Sequence, residues 1–90
     1  MSDKVRKQII FYGDVQGVGF RYRAFHAAQA LGITGWVRNE WDGSVSMEVQ
    51  GTEEEIDQMI LTIQKGTYVA LRDMKVKTLP LEAEGRFRIR

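Results

Sequence analysis

The sequence predicts an α+β sandwich, an antiparallel sheet with two helices on one face. Three observations carry that expectation. Period-two runs and period-3.6 runs follow one another in the order β-α-β-β-α-β. Two β-α-β units with right-handed crossovers bring both helices to the same side of the sheet. A turn at Trp41-Asp42-Gly43-Ser44 joins the two middle strands as a hairpin.

The first strand spans about Val5 to Tyr12, an apolar and β-prone run. Behind a glycine turn, Phe20, Ala24, Ala27, Ala28 and Leu31 recur at i, i+4, i+7, i+8 and i+11, one face of a helix. Gly32 is placed to end that helix in a left-handed cap. The second strand is Ile33 to Glu40, centred on Trp36 and Val37, and Val45, Met47 and Val49 alternate along the third. Thr52 opens the second helix and Glu55 completes a capping box, while Glu53 and Glu54 sit at the dipole's positive end. Ile56, Met59, Ile60 and Ile63 line its buried face, and Lys65-Gly66 marks its stop. Tyr68 to Thr78 reads as the fourth strand, with Met74 and Val76 alternating until Leu79-Pro80-Leu81 breaks it. Arg86 to Arg90 adds a short extra C-terminal strand. Residues 1–90 thus read as one ferredoxin-like domain, a fold that hosts unrelated activities and leaves function to its sites.

Composition narrows the function classes. The absence of cysteine removes a disulfide framework, a thiol nucleophile and a thiolate metal site. Met1-Ser2-Asp3-Lys4 carries no apolar h-region, and no stretch is long enough to span a bilayer. A cytoplasmic protein without membrane contact is expected, and its size and ordinary surface point to a monomer. A net charge of +1 argues against a general basic field for nucleic acid, so anion recognition has to be local.

The stretch from Gly13 to Arg21 offers such a site. It leaves the first strand and enters the first helix. Its glycines let the main chain come close to a ligand and take positive φ. Successive amides in such a turn form a concavity for an anion, and the helix start adds unpaired donors. Arg21 places a fork-shaped cation there, suited to two phosphate oxygens. Farther on, Arg38 and Asn39 end a strand and alternate to opposite faces. Asn39 carries an acceptor and two donors, so it can hold and orient a water although it cannot act as a base. The pair suffices for phosphoryl hydrolysis of an activated substrate, which needs alignment and charge stabilisation more than covalent chemistry.

At these two stretches the chain resembles the acylphosphatases. Gly13-x-Val15-Gln16-Gly17-Val18-x-Phe20-Arg21 resembles the family's first signature. Gly35-Trp36-Val37-Arg38-Asn39, with Gly43, Val45 and Gly51, resembles the second at the expected spacing. The resemblance implies hydrolysis of acyl phosphates, mixed anhydrides of a carboxylic and a phosphoric acid, without metal or cofactor. It implies that Arg21 binds the phosphate, that Asn39 orients the attacking water, and that the backbone amides of Gln16, Gly17, Val18, Gly19 and Phe20 wrap the phosphate. The substrate's own phosphate is then the proton acceptor, and inorganic phosphate or sulfate is expected to compete. Two positions depart from the family pattern: Phe11 replaces an aliphatic residue, and Thr67 rather than proline follows Gly66.

Other residues read more plainly. The Gln16 side chain is expected to brace the loop by bonding backbone groups. His26 lies five residues past Arg21, about 140° around the helix, which makes it structural rather than a base. Trp36, Trp41 and Tyr22 are candidates for holding an aromatic acyl group, with packing in or beside the hairpin the simpler expectation. Arg23, Arg38 and the alternating Arg86, Arg88 and Arg90 are expected to face solvent, and Glu53-Glu54-Glu55 is helix-start chemistry. Two rival classes remain. An RNA-binding module of the same element order would need stacking aromatics on a central strand, whereas Phe20 and Tyr22 enter a helix. An anion sensor without turnover would not need Asn39.

Overall fold

The computed structural model describes residues 3–17, 19–65 and 70–90. Its elements are β1 (Lys4–Asp14), α1 (Phe20–Leu31), β2 (Thr34–Asn39), β3 (Val45–Thr52), α2 (Glu53–Lys65), β4 (Ala70–Leu79) and β5 (Phe87–Ile89). The expected stop at Gly66, the Thr67 departure and the start of the fourth strand at Tyr68 lie outside the described residues.

The sheet order is β4-β1-β3-β2-β5. β1 pairs antiparallel with both β3 and β4, and β2 pairs antiparallel with β3, as the ferredoxin-like pattern requires. β5 instead lies parallel to β2, so the complete sheet is mixed. A short connection favours this direction. The connection of residues 80–86 runs from one edge of the sheet to the other, about 19 Å at the usual strand spacing. Seven residues reach only about 23 Å when extended. Most of that reach is used in the crossing, and β5 starts at the end where β4 stops.

Alternation sorts the side chains as expected. Ile9, Phe11, Val37, Val45, Met47 and Val49 are buried on the helix side, under Phe20, Ala24, Ala27 and Ala28 of α1 and Ile56, Met59 and Ile63 of α2. The Phe11 departure is absorbed in this core, where its ring meets Phe20 edge-on at 4.9 Å. Both helix signals act as read. Thr52 N–H donates to Glu55 Oε1 at 2.8 Å and Glu55 N–H to Thr52 Oγ1 at 3.1 Å, a reciprocal capping box. At the end of α1, Ile33 N–H donates to the Ala28 carbonyl and Gly32 N–H to that of Gln29, a Schellman closure. Gly35 is required by β2–β3 contact, because an added Cβ would overlap the Glu48 carbonyl oxygen. No helix among the described residues is long and apolar enough to cross a membrane.

The opposite face of the sheet holds a feature that no local pattern announces. Arg6 on β1 is 1% exposed. Its guanidinium meets Glu48 at 2.9 Å, Glu82 at 3.3 Å and Glu84 at 2.5 Å. Gln50 Nε2 donates to the Glu82 carbonyl, and Glu82 N–H donates back to Gln50 Oε1. Residues 80–86 thus form a strap tied across β1 and β3. Burial would lower the Arg6 pKa, but its bonds to Glu48 and Glu84 and the charges of Glu84 and Glu82 together hold it above its usual value. Removing one partner of such a cluster leaves charge without compensation. Arg6→Ala is expected to cost about 3 kcal/mol, which lowers Tm by roughly 10 °C or more in a domain of this size. Thermal unfolding followed by circular dichroism checks this, and an unchanged Tm would show the strap to be held by other contacts.

Candidate active site

The end of the sheet away from the strap brings the two candidate stretches together. β1 runs two residues past Tyr12, farther than alternation predicts. A register shift between Tyr12 and Gly13 lets Gly13 and Asp14 continue pairing, opposite Leu71 and Ala70. The loop proper therefore begins at Val15, whose side chain is buried. Gly17 and Gly19 both take φ 77°, a conformation that strains a residue bearing Cβ. Gly19 is also the N-cap of α1 and supplies no side-chain cap, and the first turn of the helix holds no acidic residue. The first helical bond runs from Arg23 N–H to the Gly19 carbonyl. Ahead of it, the amides of Phe20, Arg21 and Tyr22 lack intrahelical acceptors by the geometry of any helix start. This terminus is thus uncapped and carries the positive dipole end without a neutralising charge. Phe20 anchors it, since its ring is locked against Phe11 in the core.

A cavity of about 110 Å³ sits at this point, lined by Val15, Gly17, Gly19, Phe20, Arg21, Tyr22 and Asn39. That volume is several times what one water needs. Arg21 lies exposed on its rim. Among the described residues Arg21 has no carboxylate partner, whereas Arg6 and Arg38 both do. Asn39 reaches the cavity from the end of β2, opposite Val45 and on the helix side with Val37, while Arg38 turns to the other face. Among the described residues its carboxamide makes no hydrogen bond, so its donors and acceptor are free for a ligand. Gln16 contributes to the cavity only indirectly. Its Nε2 donates to the Glu40 carbonyl at 2.6 Å and the Ser44 carbonyl at 2.8 Å, which ties the loop to the β2–β3 turn. Val18 lies outside the described residues.

The turn that carries the Gln16 acceptors is itself closed by short bonds. Glu40 N–H donates to the Ser44 carbonyl, and Asp42 Oδ1 accepts from Ser44 Oγ at 2.6 Å and Ser44 N–H at 2.9 Å. Those two bonds from Ser44, the hydroxyl's above all, hold the Asp42 carboxyl below its usual pKa.

Several expected placements change. Trp36 does pack beside the hairpin, with the guanidinium groups of Arg38 and Arg90 at 5.2 Å and 4.9 Å from its ring. Arg38 is also paired to Glu40 at 3.0 Å; both arginines face solvent as expected while making these contacts. Trp41 does not pack. At the tip of the turn it is 99% exposed, because residues beyond the ladder have no sheet surface within reach. Tyr22 forms a wall of the cavity instead of packing against the hairpin. Its place in the first turn of α1, beside Arg21, is the sequence signal for that role. His26 is exposed and stacks on Tyr22, away from the cavity lining. A larger cleft of about 830 Å³ lies between the end of α1 and β5, and none of the sequence-predicted site residues lines it.

Known proteins share both the sequence pattern and the fold. The acylphosphatase family profile matches residues 7–89. An acylphosphatase of Oceanobacillus iheyensis is 46% identical over 74 residues, 80% of this chain and 81% of that protein. One from Moorella thermoacetica is 39% identical over 87 residues, 96% of this chain and 94% of that one. The crystal structure of acylphosphatase from Bacillus subtilis superposes with a TM-score of 0.87 at 33% identity, covering 94% of this chain and 97% of that chain. With its profile match, its relatives and its fold in agreement, the chain belongs to the acylphosphatase family, enzymes that hydrolyse acyl phosphates.

Proposed function

We propose that the cavity between the Val15–Tyr22 segment and Asn39 is where the acyl phosphate is hydrolysed. The observation that carries this is convergence: an uncapped helix terminus, an arginine without a carboxylate partner and a carboxamide without a bond among the described residues meet at one small cavity. The amides of Gln16 to Phe20 and the Arg21 fork take the non-bridging phosphoryl oxygens and the charge they carry. Asn39 holds a water and aims its oxygen at phosphorus. As the new P–O bond forms, the bond from phosphorus to the acyl oxygen breaks and the carboxylate leaves with the electron pair. The water's proton passes to a phosphoryl oxygen, giving inorganic phosphate. Main-chain donors and a guanidinium supply the stabilisation, so the reaction is metal-free and needs no cofactor. Inorganic phosphate and sulfate compete for the same donors. The proposed active unit is a monomer.

The RNA-binding alternative finds no support in the arrangement. Phe20 is buried against Phe11, and the acidic strap covers part of the sheet face on which bases would stack. The test is an assay of the chelator-treated protein with benzoyl phosphate. Full activity is expected, with competitive inhibition by inorganic phosphate. Loss on chelation, with recovery on adding a divalent cation, would overturn the metal-free mechanism.

A further inference from the structure

We propose that Tyr22 selects the acyl group, favouring aromatic acyl phosphates, an inference that rests on the active-site reading above. Tyr22 lines the cavity yet is 67% exposed, a large ring held at the mouth of a site rather than in the core. Its orientation is supported by His26, one helical turn on, whose ring stacks on it at 5.7 Å with 27° between planes.

In-line displacement decides which aromatic residue the acyl group meets. The leaving carboxylate departs on the side of phosphorus opposite the attacking water. Asn39 is the lining residue contributed by the hairpin, and the others belong to the Val15–Tyr22 segment. A water held by Asn39 therefore sends the acyl group toward that segment. There, Val15 and Phe20 are buried, Gly17 and Gly19 have no side chain, and Arg21 is engaged by phosphate. Among the described residues, Tyr22 is the remaining wall residue with apolar surface to offer. Trp41 is 99% exposed at the tip of the hairpin turn and is not among the lining residues, so its indole takes no part.

An aryl group laid against the Tyr22 ring gains ring contact that an acetyl group does not. The test is the ratio of kcat/KM for benzoyl phosphate to that for acetyl phosphate, in the parent and in Tyr22→Ala, Tyr22→Phe and Trp41→Ala. The ratio is expected to fall about fivefold in Tyr22→Ala and to be retained in Tyr22→Phe and Trp41→Ala. The inhibition constant for inorganic phosphate reports the state of the phosphate cradle in each variant. An unchanged ratio in Tyr22→Ala, or an equal fall in Tyr22→Phe or Trp41→Ala, overturns the assignment while leaving the active site intact. A parent chain that hydrolyses neither substrate overturns the proposed function, and the assignment with it.

Discussion

Asn39→Ala is expected to bind inorganic phosphate as the parent does and to lose kcat by roughly a thousandfold. In the proposed site the anion is held by the loop amides and Arg21, neither of which the substitution touches, so the inhibition constant for phosphate is expected to stay put. What disappears is the group proposed to order the nucleophile. A water free to tumble in the cavity forfeits the entropic advantage of a fixed line of attack. Stability is barely affected, because Asn39 is the last residue of β2 and its carboxamide makes no bond among the described residues. The expected change is within about 0.5 kcal/mol. Steady-state kinetics with benzoyl phosphate, paired with phosphate inhibition and thermal unfolding, separates these quantities. A near-normal kcat would mean that another group aims the water.

Arg21→Ala is expected to raise KM and lower kcat together, with kcat/KM down by about a thousandfold. A charge-assisted hydrogen bond contributes about 1.5–3 kcal/mol, and the guanidinium fork makes two in parallel. Phosphate carries charge in both ground and transition states, which is why both constants move. Arg21→Lys keeps the charge and loses the fork, so it recovers only part of the deficit. Because Arg21 is exposed and has no carboxylate partner among the described residues, neither variant should alter Tm. Unchanged kinetics in Arg21→Ala would remove Arg21 from the site.

Both residues stand out in the amino-acid sequence because each belongs to a short stretch whose local chemistry is self-contained. Helix starts, caps and the hairpin are equally legible there, since a capping box or a Schellman glycine is decided within six residues. The limits lie in contacts between distant segments. Arg6 reads as an ordinary strand residue, and only the return of Glu82 and Glu84 across the sheet makes it a buried ion. The parallel direction of β5 depends on how residues 80–86 cross the sheet, which alternation within Arg86–Arg90 does not encode. Gln16 is recognisable as a brace, but its acceptors, the Glu40 and Ser44 carbonyls, lie in another segment. Trp41 misleads for the opposite reason. A large apolar side chain ordinarily implies a surface to cover, and the tip of this turn has none beneath it.

The docking of β5 against β2 also decides how this sheet meets its own copies. Without β5, the strand ending in Asn39 would present an unsatisfied row of amides and carbonyls, a template for cross-chain growth. With it, recruitment of a neighbour is left to β4, which carries the exposed Lys75 and Lys77, and to a border only three residues long. Repulsion guards the first and brevity the second, so the tripeptide Phe87–Ile89 shields Gly35 to Val37 of β2 from cross-chain pairing as well as completing the core.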